Sequence, residues 1–379
     1  MSRRSPPWAD AVAAAGIFLA CFGVVHTWFW AHGALVDWPT YHDYGTAIVD
    51  HGQVPYRDFR VEYPPGALPV FVAPVPFGDY AGAFAWLMAV CGVTLVAVLA
   101  FVRRSAAYYA ALAPVLVGSL ILSRFDLWPS LLLVGALAAL RSERHALGWA
   151  LLGAAVDAKL WPLVVVPLAL VWTVRRGRAA SVLAGAVVVA AAFVPFAVVA
   201  PHGLWQSLHG QASRPLQVES LGAAILTAFG HPQVVTSHGS QNLVGHDAVG
   251  RALTALAAAS LVALWVAFGR GAASPERLVR YAAAAVCAFV AFDRVLSPQY
   301  LLWLIPLVPL VRGARGALAT VLLTAACVLT QVWFPRRYFE YVDTFHLAGV
   351  VLARDLVLVA LLVVLSLTPP RQRARARSS

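Results

Sequence analysis

The run from Tyr80 to Val102 carries no charged side chain and no proline, and it is one of many. A chain built from such runs has few options, because a bilayer forces backbone N–H and C=O groups to pair within one segment. Hydrophobic residues make up 61% of the 379 positions and charged ones only 12%, far from the usage of soluble domains. The apolar runs are continuous rather than alternating, which excludes an outer-membrane barrel. The expected fold class is therefore an all-α polytopic membrane protein.

About twelve crossings are expected, over Ala11–Trp30, Tyr80–Val102, Ala106–Ser123, Leu127–Leu140, Ala146–Val156, Leu160–Val174, Ala180–Ala200, Ala248–Phe268, Leu278–Val295, Gln299–Val311, Gly316–Trp333 and His346–Leu367. Several are short for a full crossing, which suits helices beside a water-filled cavity. Gly66 to Phe77 is too short and proline-rich to cross, and reads as re-entrant or interfacial. Residues 1–368 form one transmembrane domain, and 369–379 a disordered basic tail on the cytoplasmic side. Ala11–Trp30 lacks a clear cleavage site and reads as a retained span.

The net charge of +11 comes from 28 basic residues, of which Lys159 is the single lysine. With both termini cytoplasmic, 18 of those 28 fall in inner loops, among them Arg103, Arg141, Arg175, Arg176, Arg270 and Arg312. The positive-inside rule accounts for that placement without any nucleic-acid partner. It also puts three polar stretches outside: the loop after the first span, Pro201 to Asp247, and Phe334 to Phe345. The localisation expected is a multi-pass plasma-membrane protein whose working face is extracytoplasmic. Trp38, Trp205 and Trp333 read as interfacial anchors. Cys21, Cys91, Cys287 and Cys327 sit inside apolar runs and read as small buried residues. His202, His209, His231, His238 and His246 show no zinc spacing, and neither metal nor cofactor is expected.

The first outer loop holds five of the seventeen carboxylates: Asp37, Asp43, Asp50, Asp58 and Glu62. Acidic groups at a membrane surface point to proton abstraction, ion handling or head-group recognition. Charged residues also interrupt the apolar runs at three hairpin tips, all on the outer side: Arg124 with Asp126, Lys159 beside Asp157, and Arg294 beside Asp293. Each set is explained equally by local salt bridges, Arg124–Asp126, Asp157–Lys159 and Asp293–Arg294. Brought together with the acidic loop, these cations suit a substrate carrying a phosphate and a group to be deprotonated: Arg and Lys hold the phosphate, and a carboxylate takes a hydroxyl proton.

Asp37-Trp38-Pro39-Thr40-Tyr41, then Gly52 with Pro55-Tyr56, then Glu62-Tyr63-Pro64-Pro65 resemble the first extracytoplasmic loop of glycosyltransferase family 87, with its D-x-x-x-Y, G-x-x-P-Y and Y-P-P elements. Arg124-Phe125-Asp126-Leu127, Lys159-Leu160-Trp161-Pro162, Leu296-Ser297-Pro298-Gln299-Tyr300 and, more loosely, Gly239-Ser240-Gln241-Asn242-Leu243 resemble later family segments. The resemblance implies a GT-C-like fold with the active site on the extracytoplasmic first loop. It implies an actinobacterial type of enzyme that moves mannose, or second arabinofuranose, from a polyprenyl-phosphate sugar donor. The acceptor is a hydroxyl of a glycolipid or cell-envelope glycan, and transfer is inverting and metal-independent. Some members carry a histidine after the Ser-Pro element, where this chain has Gln299.

Asp37 matches the family's catalytic base; it follows the first span directly and also suits the N-cap of a helix opening at Trp38-Pro39. Asp43 is the rival base. Lys159, Arg124 and Arg294 are expected at the donor phosphate, and Glu62, Tyr63, Tyr41 and Gln299 at phosphate or sugar. Glu62 equally suits a salt bridge to Arg57 or Arg60. The alternative function is a polytopic transporter or lipid flippase, which would show inverted repeats and charges near the bilayer midplane; here the charges gather at one face.

Overall fold

Among the described residues, six helices are long and apolar enough to cross a membrane: Pro7–Trp28, Tyr80–Val102, Ala179–Val199, Asp247–Arg270, Gly313–Trp333 and Ala348–Ser366. They are seen in a computed structural model, which describes residues 6–32 and 37–367. The basic tail 369–379, like Arg3 and Arg4, lies outside the described residues. Four shorter apolar segments, Pro65–Phe77, Leu127–Arg141, Trp161–Val174 and Pro298–Leu310, pack among the long ones. With them stand the His145–Ala158 and Pro275–Phe292 helices, whose neighbours bury nearly every side chain of the second.

Most of the twelve expected segments recur as helices with ends shifted by a few residues, but only those six have the length and hydropathy to cross, Leu160–Val174 opens as a 3-10 helix over Trp161–Val165, and two runs break up. The Ala106–Ser123 run breaks into Arg104–Ala111, Ala113–Val117 and Leu120–Ser123, where Pro114 has no N–H to continue the ladder. The Gln299–Val311 run breaks into Pro298–Tyr300, Leu301–Leu304 and Val308–Leu310, interrupted by Pro306 and Pro309. The stretch from Pro201 to Asp247 is also no bare loop. It folds into helices Pro201–Ala212 and Leu221–Phe229 and a hairpin of β1 (Val234–Ser237) and β2 (Ser240–Leu243).

The helices are polarised end to end. Leu127–Arg141 runs from Asp126 to the arginine loop, and His145–Ala158 returns to Lys159. Asp247–Arg270 descends to a basic turn and Pro275–Phe292 climbs back to Asp293. At the arginine end, Arg176 meets Glu143 at 2.9 Å and donates to the Ala273 carbonyl, Arg175 donates to Gly269 and Gly271, and Arg103 to Val311. These bonds satisfy carbonyls left open where helices stop. Trp333 is fully buried, stacked near Tyr338 and Tyr341 rather than set at an interface, whereas Trp205 is exposed. The described cysteines are all free, three of them buried.

Candidate active site

At the opposite end, the first loop is folded tightly. Asp37 caps the Trp38–Val49 helix by position without a side-chain cap bond, and Pro39 sits in its first turn. Tyr41 and Tyr44 turn inward, and Tyr41 stacks on Phe71 at 4.6 Å and meets Phe125 edge-on at 5.5 Å. The G-x-x-P-Y element has a mechanical role: the Tyr56 hydroxyl donates to the Tyr63 carbonyl at 2.6 Å. After Tyr63-Pro64-Pro65, only glycine fits at position 66, because a Cβ there would collide with the backbone of Asp157. The loop is thereby seated on the last turn before Lys159, with Trp128 Nε1 donating to the Gly66 carbonyl.

Three adjoining cavities open at this end. A polar one of about 370 Å³ is lined by Asp37, Glu62, Tyr63, Arg124, Glu219 and Gln299 among others. A mostly apolar one of about 400 Å³ is lined by Lys159, Trp161, Phe289, Arg294, Tyr300 and Trp303. A third, of about 320 Å³, holds Arg60, Gln211 and His238. Glu62 and Arg214 belong to all three, and Tyr63 to the first two.

The expected local salt bridges at two of the tips are replaced by long-range ones. Arg124 pairs with Asp37, and Lys159 Nζ lies 2.7 Å from Asp126 Oδ1. Arg124 and Lys159 stand in extended backbone just past the ends of their helices, and each reaches a carboxylate of another segment. Asp126 is wholly buried and also accepts from Trp303 Nε1 at 2.6 Å. Lys159 is ringed by Phe125, Trp303, Tyr63 and Tyr300 at 4.8–6.0 Å, a cation–π setting. Asp293 Oδ1 accepts from the Val295 N–H at 3.1 Å. Arg57 pairs with Asp58 at 2.9 Å rather than with Glu62.

Asp37, Glu62, Tyr63, Arg124, Lys159, Arg294 and Gln299 therefore come together around the joined cavities. Two candidates do not. Asp43 is exposed on the Trp38–Val49 helix and lines none of the three cavities, because it is two positions past buried Tyr41 and so on another face. Tyr41 is buried behind the wall, its hydroxyl bonded to Tyr63.

Sequence reasoning missed Arg214, Gln217, Glu219 and Tyr338, which line the polar cavity. Arg214 donates to Ser240 Oγ and the His238 carbonyl. The looser Gly239-Ser240-Gln241-Asn242-Leu243 element is the hairpin that presents them. His238 and Gly239 both have positive φ, 53° and 67°, the geometry of a two-residue hairpin turn. Buried Asn242 braces it by donating to the Ser237 carbonyl and hydroxyl at 2.8 and 2.9 Å. Burial drives the Glu219 carboxyl up to about 7, while Arg354 and the Tyr338 hydroxyl pull the other way. The signal available in sequence was only that Arg214 and Glu219 share the second outer stretch.

Long apolar helices with one end closed by arginine loops, and the other opened into a charged cavity, define a multi-pass membrane protein built around an enzyme site. The chain belongs to glycosyltransferase family 87, whose profile matches residues 61–298, more than half of its length. It is accordingly a membrane glycosyltransferase, and the transporter alternative falls away. Glu62, Arg124, Lys159 and Arg294 lie within the matched residues; Asp37 and Asp43 precede them, and Gln299 follows by one. No curated protein matches the chain.

Proposed function

We propose that the protein transfers a sugar from a polyprenyl-phosphate donor to a hydroxyl of a glycolipid or cell-envelope glycan, at the extracytoplasmic face of the plasma membrane, with both termini cytoplasmic. Mannose is the first choice of sugar and arabinofuranose the second. The observation that carries this reading is the junction of a polar cavity holding Asp37 and Arg124 with an apolar one holding Lys159 and Arg294, through Glu62, Tyr63 and Arg214.

The apolar cavity takes the start of the isoprenoid chain. Lys159, Arg294 and Arg214 face the phosphate at the junction, and Arg124 approaches it from the polar side. The sugar projects into the polar cavity beside Glu62, Tyr63 and Gln299. Asp37 removes the proton from the acceptor hydroxyl as its oxygen attacks the anomeric carbon. The bond from that carbon to the phosphate oxygen breaks on the opposite side, so configuration inverts. Polyprenyl phosphate leaves as an anion stabilised by the cations around it. Arg124 holds the Asp37 carboxylate before substrate arrives and keeps it ionised and oriented.

Native membranes supplied with labelled polyprenyl-phosphate mannose, and separately with the arabinose donor, test the reading. Transfer from one donor is expected. The Asp37→Asn protein should lose about 10²-fold or more in kcat while inserting normally. Undiminished transfer by that variant would remove Asp37 as the base, and no transfer by the wild type from either donor would remove the donor class.

A further inference from the structure

The polar cavity holds a third carboxylate beside Asp37 and Glu62. Glu219 lines the same polar cavity, is only 3% exposed, and has one oxygen, Oε2, without a hydrogen-bond partner among the described residues. Tyr338 lines the same cavity wall, where its hydroxyl interacts with the Glu219 side chain. Burying a carboxylate with unused acceptor capacity is expensive unless something completes it.

The segment is fixed in place from every side. The Gln217 N–H donates to the Arg294 carbonyl at 2.9 Å and the Val218 N–H to the Gln241 carbonyl at 3.0 Å. The Tyr341 hydroxyl donates to the Val218 carbonyl at 2.7 Å, and Arg354 Nη2 to the carbonyl of Glu219 itself at 2.8 Å. Arg354 is no salt-bridge partner for the Glu219 side chain in this arrangement: its guanidinium pairs with buried Asp355 at 2.6 Å and gives Glu219 a main-chain bond. Arg124, the cation at the shared cavity, closes on Asp37, and Arg214 donates to the hairpin. Asp126, Asp157 and Asp355 also keep an oxygen without a hydrogen-bond partner among the described residues, but of these buried carboxylates only Glu219 lines the polar cavity.

We infer that Glu219 is a further substrate-binding carboxylate, which accepts hydrogen bonds from the hydroxyls of an uncharged sugar or polyol portion of the acceptor. A carboxylate's two oxygens match a pair of neighbouring hydroxyls, and a buried one rejects an anionic group in the same place. Tyr338 orients the carboxylate, and Asp37 is left to deprotonate the hydroxyl that reacts. The inference rests on the glycosyltransferase reading for the nature of the ligand, and specifies that reading on the acceptor side.

The test is equilibrium binding to full-length protein in nanodiscs, followed by tryptophan fluorescence, with methyl α-D-mannopyranoside and polyprenyl phosphate as separate probes. Wild-type protein should bind the mannoside saturably. Glu219→Gln should weaken that binding about tenfold or more, Glu219→Asp should retain part of it, and Tyr338→Phe should weaken it less than Glu219→Gln. Polyprenyl phosphate binding should be the same in wild type and Glu219→Gln, which also shows that the variant is folded. Equal mannoside binding by wild type and Glu219→Gln, no saturable binding to the wild type, or equal loss of both probes in Glu219→Gln would overturn the inference. Failure of polyprenyl phosphate to bind wild type, with the mannoside difference intact, would instead remove the donor reading and leave Glu219 assigned.

Discussion

Lys159 Nζ lies 2.7 Å from Asp126 Oδ1, so the chain's single lysine and a wholly buried aspartate form one ion pair joining two hairpin tips. Breaking such a pair from one side leaves an uncompensated charge in a dry site, at a cost of about 3–5 kcal/mol. Lys159→Met and Asp126→Asn should each lower the thermal midpoint in detergent well below wild type. The double variant should recover much of the stability but none of the transfer, since Lys159 is also proposed to hold the donor phosphate. Additive losses in the double variant would mean that the two side chains are not coupled.

Arg124 engages Asp37 rather than its near neighbour Asp126. Arg124→Gln should reduce kcat by about tenfold or more through loss of orientation and of one charge-assisted bond, with a smaller change in stability. Arg124→Lys should recover only part of it, because an ammonium lacks the planar fork. Steady-state transfer rates measured on both variants decide this, and a fully active Arg124→Gln would contradict it.

The Glu219 carboxyl stands raised to about 7 from an ordinary 4.5, with burial the largest cause. A group that binds its proton more tightly when folded favours the fold below the unfolded pKa, and that contribution fades as pH rises through the folded one. Glu219→Gln should therefore be more thermally stable than wild type at pH 8, and the difference should shrink towards pH 5. Thermal unfolding at the two pH values checks it; a gap that widens on acidification would refute it.

Gly66 lies against the Asp157 backbone with no room for a Cβ. Gly66→Ala must push the loop off the turn that carries Lys159, at about 1–3 kcal/mol, and should lower transfer beyond what the stability change explains. Parallel unfolding and transfer measurements separate the two effects.

Asn242 holds the hairpin through its side-chain amide, and Gly239 occupies its left-handed turn. Asn242→Ala should cost about 1–3 kcal/mol from buried groups left unpaired. In assays with varied acceptor it should raise the acceptor KM more than the donor KM, because Thr236, His238, Ser240 and Gln241 of the hairpin line the polar cavity together with Glu219, the carboxylate proposed for the acceptor. An unchanged acceptor KM would argue against the hairpin as a wall of the acceptor site.

Length and hydropathy alone made the helices legible. The run at Tyr80–Val102 declares itself because no charge interrupts it, and Gly313–Trp333 and Ala348–Ser366 are apolar enough to be read through Arg315 and the Arg354-Asp355 pair. Arginine placement marked which ends lie together, and the first-loop pattern marked Asp37, Glu62 and Tyr63. Prolines at 114, 306 and 309 broke runs that hydropathy joined, a local signal that apolar content obscures.

Which charges would meet was not in the sequence. Neighbouring Arg124 and Asp126 look like a pair, yet Arg124 takes Asp37 and Asp126 takes Lys159; Glu219 gives no hint that Tyr338, more than a hundred residues on, shares its cavity wall. Helix formation is a local matter of backbone groups satisfied within one segment, so a one-dimensional pattern carries it. Pairing of buried charges depends on distances between segments that only packing sets. The chain's letters thus determined the helices and their polarity, and the tertiary structure decided what the cavity between them is made of.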